Sequence, residues 1–107
     1  MRGIKIPLAI LAILGLADSA LATQVIRIDQ KNLSFNTNFL TIAKGTKVIF
    51  GNSDATSHNI LITGPGVIFN SGLQRPGVVF TAPFGKPGTY HVSCGIHPRM
   101  KLTVVVK

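Results

Sequence analysis

Seven residues, Cys94 to Met100 (CGIHPRM), hold the only cysteine of a 107-residue chain, one of its three histidines and one of its two methionines. A thiol, an imidazole and a thioether within so short a span are soft donors, better suited to a transition metal than to proton transfer. Cys94, His97 and Met100 fall at i, i+3 and i+6, a spacing that one face of a helix would also satisfy. Gly95 and Pro98 argue against a helix, because proline pushes the residue before it, His97, away from helical angles. The span is therefore expected to be a loop that turns three donors toward one point. A lone cysteine cannot form an intramolecular disulfide. In an oxidising compartment Cys94 is then a ligand, a reactive thiol or an intermolecular bridge, with a buried inert thiol as the plain alternative.

Such a loop needs rigid elements on both sides. From residue 23 onward no stretch shows an apolar period of 3.6 over ten or more residues. Short runs rich in Val, Ile, Phe and Thr follow one another instead: QVIRI, NLSF, FLTIA, TKVIFGN, HNILIT, GVIF, GVVFTA, TYHVSC and KLTVVVK. Turn-forming segments (KG, NSDATS, TGPG, NSGLQRPG, FGKPG) separate them. Residues of these types crowd strands, and runs at this spacing predict an all-β domain of seven or eight strands, a sandwich or a closed barrel. There is no internal repeat and no low-complexity linker, so residues 23–107 read as one domain.

Three donors leave one place for a fourth, from His58 or His91. In TYHVSC, alternation along a strand sets Tyr90, Val92 and Cys94 on one face and His91 on the other. His91 therefore points away from a site built around Cys94, and His58, at the mouth of a strand after a polar loop, is the better candidate. One thiolate, two imidazoles and one thioether form a distinctive set. Structural zinc takes Cys and His in fours and makes little use of thioether. A trigonal His₂Cys set with a weak axial Met is the blue-copper arrangement, a shape between the preferences of Cu(I) and Cu(II). It suits electron transfer and leaves no open position for a substrate. A Cys–His hydrolase would need an open nucleophile beside a base, which Met100 and the scarcity of acidic groups argue against.

With these residues placed, the chain from about Leu33 to Lys107 resembles the cupredoxins of the plastocyanin and amicyanin type. FLTIAKGTKVIFGN resembles the family's strand, glycine turn and strand; SHNI resembles its first ligand loop; NSGLQRPGVVFTAPFGKPGTYHVSCGIHPRM resembles the run into its second. The two-residue gap between His97 and Met100 is like that of amicyanin, whereas Gly95-Ile96 stands where relatives commonly carry a proline before the ligand histidine. The resemblance implies a Greek-key β-sandwich with one type 1 copper ion cycling between Cu(I) and Cu(II). It implies His58, Cys94, His97 and Met100 as ligands, with both histidines binding through Nδ1, and Asn59 as a tie between the ligand loops near the sulfur. It also implies that His97 shows its other edge at the surface, ringed by Gly95, Ile96 and Pro98 as an apolar patch for electron exit.

The N-terminus completes the expectation. MRGIK carries two positive charges, IPLAILAILGLA is an apolar run of twelve, and Ala20-Leu21-Ala22 is a small-x-small cleavage pattern. That is a secretory signal peptide over residues 1–22, too short in its apolar part for a bilayer span of about 20 residues. The mature chain is expected to be periplasmic, monomeric and not inserted in the membrane. Lys plus Arg number 11 and Asp plus Glu 3. Residues 1–22 hold Arg2, Lys5 and Asp18, so the remainder is strongly basic, with Asp29 and Asp54 as its only acids. Such a balance favours redox partners with an acidic docking face. One tyrosine, no tryptophan and no basic run argue against nucleic acid. The expected function is a non-enzymatic one-electron carrier. The alternative is a copper-handling protein for delivery or resistance, whose Met-rich or His-rich tracts are missing here.

Overall fold

In the computed structural model, which describes residues 23–107, every regular element is a strand. The segment expected to be a signal peptide, residues 1–22, lies outside the described residues. In chain order the strands are β1 (Val25–Lys31), β2 (Ser34–Phe35), β3 (Phe39–Ile42), β4 (Lys47–Asn52), β5 (His58–Gly64), β6 (Val67–Gln74), β7 (Phe80–Thr81), β8 (Gly88–Cys94) and β9 (Lys101–Val106). Two of the nine, β2 and β7, are only two residues long. The chain passes repeatedly between a four-stranded sheet, β2-β1-β4-β7, and a five-stranded sheet, β3-β9-β8-β5-β6. This is the expected all-β Greek-key sandwich.

The alternation of each central strand decides what lies between the sheets. On β8, Tyr90, Val92 and Cys94 are buried while Thr89 and His91 are exposed. On β9, Leu102, Val104 and Val106 face the same core. Phe50 of β4 meets them from the other sheet, stacked on Phe80 at 5.4 Å and edge-on to Phe35 at 6.0 Å. At the end of β8 where the strand begins, the Tyr90 hydroxyl donates to Lys86 O at 2.7 Å and accepts the Lys86 N–H at 3.0 Å, which ties the preceding loop to the core.

Two segments depart from the sequence reading. NSGLQ, expected within a turn, continues β6 as far as Gln74. Pairing with β5, from Gly64↔Val67 to His58↔Gln74, overrides its turn chemistry. The register shifts between Asn59 and Leu61; Gly72 at φ 70° and the Ser71 hydroxyl, which accepts the Ile60 N–H at 2.9 Å, accommodate the irregularity. GVVFTA, expected as a full strand, contributes only Phe80 and Thr81 to a sheet edge.

The ladder geometry puts the chemistry at one end. β8 pairs with β9 up to Ser93↔Lys101 and with β5 up to Ile60↔Cys94. The loop 95–100 therefore leaves directly from a fixed ladder, and His58 begins β5 just beyond Cys94. Three strands converge where three candidate donors sit.

Candidate metal centre

His58 and Cys94 are buried, at 0% and 2% exposure, and His97 is half-buried. Their donor atoms converge. Cys94 Sγ lies 3.6 Å from His58 Nδ1 and 3.7 Å from His97 Nδ1, and the two Nδ1 atoms are 3.1 Å apart. The point equidistant from all three is about 2.0 Å from each, close to the lengths of about 2.0–2.1 Å and 2.3 Å typical of bonds from a first-row metal to imidazole and to thiolate. Among the described residues these three form a group able to hold a metal ion. Met100, 2% exposed, belongs to the same buried core as Cys94. Its N–H donates to His97 O at 3.0 Å, closing a turn with Pro98 at the position that favours proline. His91 stands apart on the outer face of the sheet, opposite Thr63 and Thr103.

The sulfur is also held by backbone. Asn59 N–H points at Cys94 Sγ over 3.4 Å, and Asn59 O accepts the Gly95 N–H at 2.8 Å, so the β5 and β8 ends are stitched together beside the thiol. A Cβ on Gly95 would stand 2.7 Å from Asn59 Oδ1, a separation that real Cβ atoms do not tolerate. Any larger residue at 95 would have to displace the Asn59 side chain from this position. The Asn59 side chain is turned to Asn70 Oδ1 at 2.8 Å.

Sequence reasoning missed Asp54. Its Oδ2 accepts the His58 ring at 3.0 Å through Nε2 and the Leu33 N–H at 2.9 Å, while Oδ1 accepts the Ala55 N–H at 3.0 Å. A carboxylate only accepts, so the His58 proton sits on Nε2 and leaves Nδ1 with a free lone pair facing the sulfur. The Leu33 N–H first, then the His58 ring and the Ala55 N–H, hold the Asp54 carboxyl below its ordinary range against the opposing effect of burial. The available signal was slight: Asp54 is the single acid in the polar loop, four residues before His58.

The model of the copper-binding protein family described as plastocyanin/azurin matches residues 22–107. The chain belongs to that family. As a cupredoxin it shares its fold with solved relatives. A purple cupredoxin from Nitrosopumilus maritimus is 26% identical over 77% of this chain and 99% of its own, with a TM-score of 0.67. An oxidised amicyanin variant is 26% identical over 83% and 88%, with a TM-score of 0.71. A copper-containing nitrite reductase from Thermus scotoductus SA-01 is 26% identical over 81% of this chain, with a TM-score of 0.72, but the chain spans only 23% of that enzyme. No curated protein sequence matches the chain.

The cofactor of this cupredoxin is copper, and the donors fit it. Two imidazole nitrogens and a sulfur at bonding radius, shielded by a core and stitched by Asn59, make the soft trigonal set that copper takes. Asp54 gives a first prediction. Its carboxylate, held against His58 Nε2, sets negative charge behind the ligating ring and so favours Cu(II) over Cu(I). Asp54→Asn should weaken Cu(II) binding by about tenfold and raise the reduction potential by about 60 mV, the one-electron equivalent. Voltammetry of the copper-loaded variant checks this, and an unchanged or lowered potential would contradict it.

Proposed function

We propose that this protein is an exported one-electron carrier, with a type 1 copper ion held by His58, Cys94 and His97 and weakly by Met100. The observation that carries the reading is the asymmetry of the donors: His58 and Cys94 are sealed in the core, whereas His97 lines an open groove. Copper, when bound, supplies a one-electron couple. The protein supplies the rest. Cys94 gives up its proton on binding, the Asn59 N–H supports the charge on sulfur, and the ladders on β5, β8 and β9 keep the donors fixed in both redox states. Four ligands leave no position for a substrate, which is the argument against an enzyme. The signal pattern in residues 1–22 supports a periplasmic location.

The groove beside His97, of about 430 Å³, is walled by Leu33, Ile96, Pro98 and Arg99. Leu33 enters it from the two-residue turn between β1 and β2, where it and Asn32 both take positive φ, 57° and 54°. On the other side of Arg99 lies a second groove lined by Ser34, Thr37, Asn38 and Lys101 as well as Met100. Among the described residues neither groove has a carboxylate in its lining. An apolar cleft at the electron exit with cations on one flank suits an acidic redox partner. Arg99→Glu with Lys101→Glu should slow electron exchange with such a partner by about tenfold or more at low salt and flatten the salt dependence. The same reversal at Lys44 and Lys86, by the turns at the opposite end of the sandwich, should do much less. Stopped-flow rates over a salt series decide it; equal effects at both pairs would mean that net charge alone acts.

The function itself is tested by loading the mature protein with Cu(II). An intense blue colour that ascorbate bleaches and an oxidant restores, cycle after cycle beside a Cu(I) chelator, is expected of a carrier. Loss of copper to the chelator on reduction would favour delivery instead.

A further inference from the structure

A chain of buried amides runs from between the two sheets to the His58 ring. Gln30, Asn52 and Gln74 are all 2% exposed or less. Gln30 Nε2 donates to Gln74 Oε1 at 2.7 Å and to Gly51 O at 3.0 Å. Gln74 Nε2 donates to Val78 O at 2.7 Å and to Phe50 O at 3.1 Å. Asn52 Nδ2 donates to Gln74 O at 2.9 Å and to Thr56 O at 3.0 Å, while Asn52 Oδ1 accepts the Asp54 N–H at 2.9 Å. Asp54 then reaches His58 Nε2.

Two features set this chain apart from ordinary core packing. The first is what holds the loop 53–57. Ser53, Ala55 and Thr56 are exposed, so burial of apolar surface does not fix it. The Asn52 side chain grips it at two points instead, at the Asp54 N–H and at Thr56 O, on either side of Ala55 and two residues before His58. The second is energetic. Amides inside a core stabilise it only when every group is paired, and among the described residues buried Gln30 Oε1 has no partner. An apolar side chain of similar volume would carry no such penalty. What the amides supply is position.

We infer that Asn52, backed by Gln74 and Gln30, is a positioning residue for the metal centre. It holds Asp54 against His58 Nε2, which keeps the ring proton on that nitrogen and Nδ1 bare and aimed at the sulfur. The inference rests on the proposed role of His58 as a copper ligand. It concerns residues 22–44 positions apart in sequence, on β1, β4 and β6, and the hydrogen bonds described above run to Asp54 and the backbone, not to the donor atoms.

The test is a cycle of Asn52→Leu, Asp54→Asn and the double variant, read with and without copper. In the metal-free protein, the His58 Nε2 proton should give a slowly exchanging NMR signal that Asn52→Leu speeds by about tenfold or more. With copper, each single variant should lower Cu(II) affinity relative to Cu(I) by about tenfold. The double variant should be no worse than Asp54→Asn alone, because Asn52 acts through Asp54. Effects that multiply in the double variant, or a lowered thermal midpoint with the Nε2 proton and the relative copper affinity unmoved, would overturn the inference. Should Asn52→Leu not fold, Asn52→Ser, which removes the amide donor to Thr56 O and Gln74 O, is expected to move both signals in the same direction, and signals at the parent values would overturn the inference. His58→Ala separates the underlying reading: if that variant keeps the blue colour, the ligand assignment fails, while the His58 Nε2 proton, compared between the parent protein and Asn52→Leu, still reports on Asn52.

Discussion

Cys94→Ser is expected to abolish the blue colour of the copper-loaded protein completely. The intense visible band arises from charge transfer between copper and a thiolate, and Cys94 is the chain's only sulfur of that kind. A serine hydroxyl is a hard, weakly acidic donor that does not replace it. The substitution should not unfold the protein. Serine is close in volume, and the Asn59 N–H that now points at the sulfur over 3.4 Å can donate to the new oxygen. The variant should therefore stay folded, bind copper weakly and be colourless. His91→Ala is the matched control: His91 is exposed on the outer sheet face, with neighbours Thr63 and Thr103, and its loss should leave colour and potential unchanged. A blue Cys94→Ser protein, or a colourless His91→Ala protein that is still folded, would sink the assignment of the site.

How much of this was legible in the sequence follows from the range of the forces involved. The sheets were, because alternation along β8 and β9 is a local pattern that reports directly on which face is buried. The same alternation separated His91 from Cys94. The convergence of His58 with Cys94 and His97 was legible only because the donor types are rare and the motifs resemble a family. Nothing local to TSHNI states that β5 pairs with β8 at Ile60↔Cys94. β6 was misread at NSGLQ because strand pairing, a long-range effect, outweighed turn residues. The carboxylate behind His58 and the amides behind that carboxylate were not legible at all. Gln30, Asn52 and Gln74 are polar residues on strands whose neighbours would put them either inside or outside, and burial of an amide is decided by partners 22–44 residues away. Functional support of this kind is carried by contacts, and a sequence displays contacts poorly.

Met100→Leu should raise the reduction potential, and Met100→Gln should lower it. A thioether is a weak axial donor that stabilises Cu(II) a little, an amide oxygen stabilises Cu(II) more, and leucine offers no donor. Each tenfold change in the relative affinity for the two oxidation states moves a one-electron potential by about 60 mV, so the two variants should differ by on the order of 100 mV or more. Both should fold. Met100 is 2% exposed and lies in the core cluster with Cys94 and Leu102, and Leu for Met is a swap that conserves volume at a cost of under about 1.5 kcal/mol. The turn that places residue 100 depends on its backbone N–H to His97 O, which neither substitution removes. The opposite signs are what make the pair informative. A residue that only fills space would alter stability in both variants and potential in neither. Equal potentials in Met100→Leu, Met100→Gln and the parent protein would place Met100 in the core alone and leave His58, Cys94 and His97 as the whole ligand set.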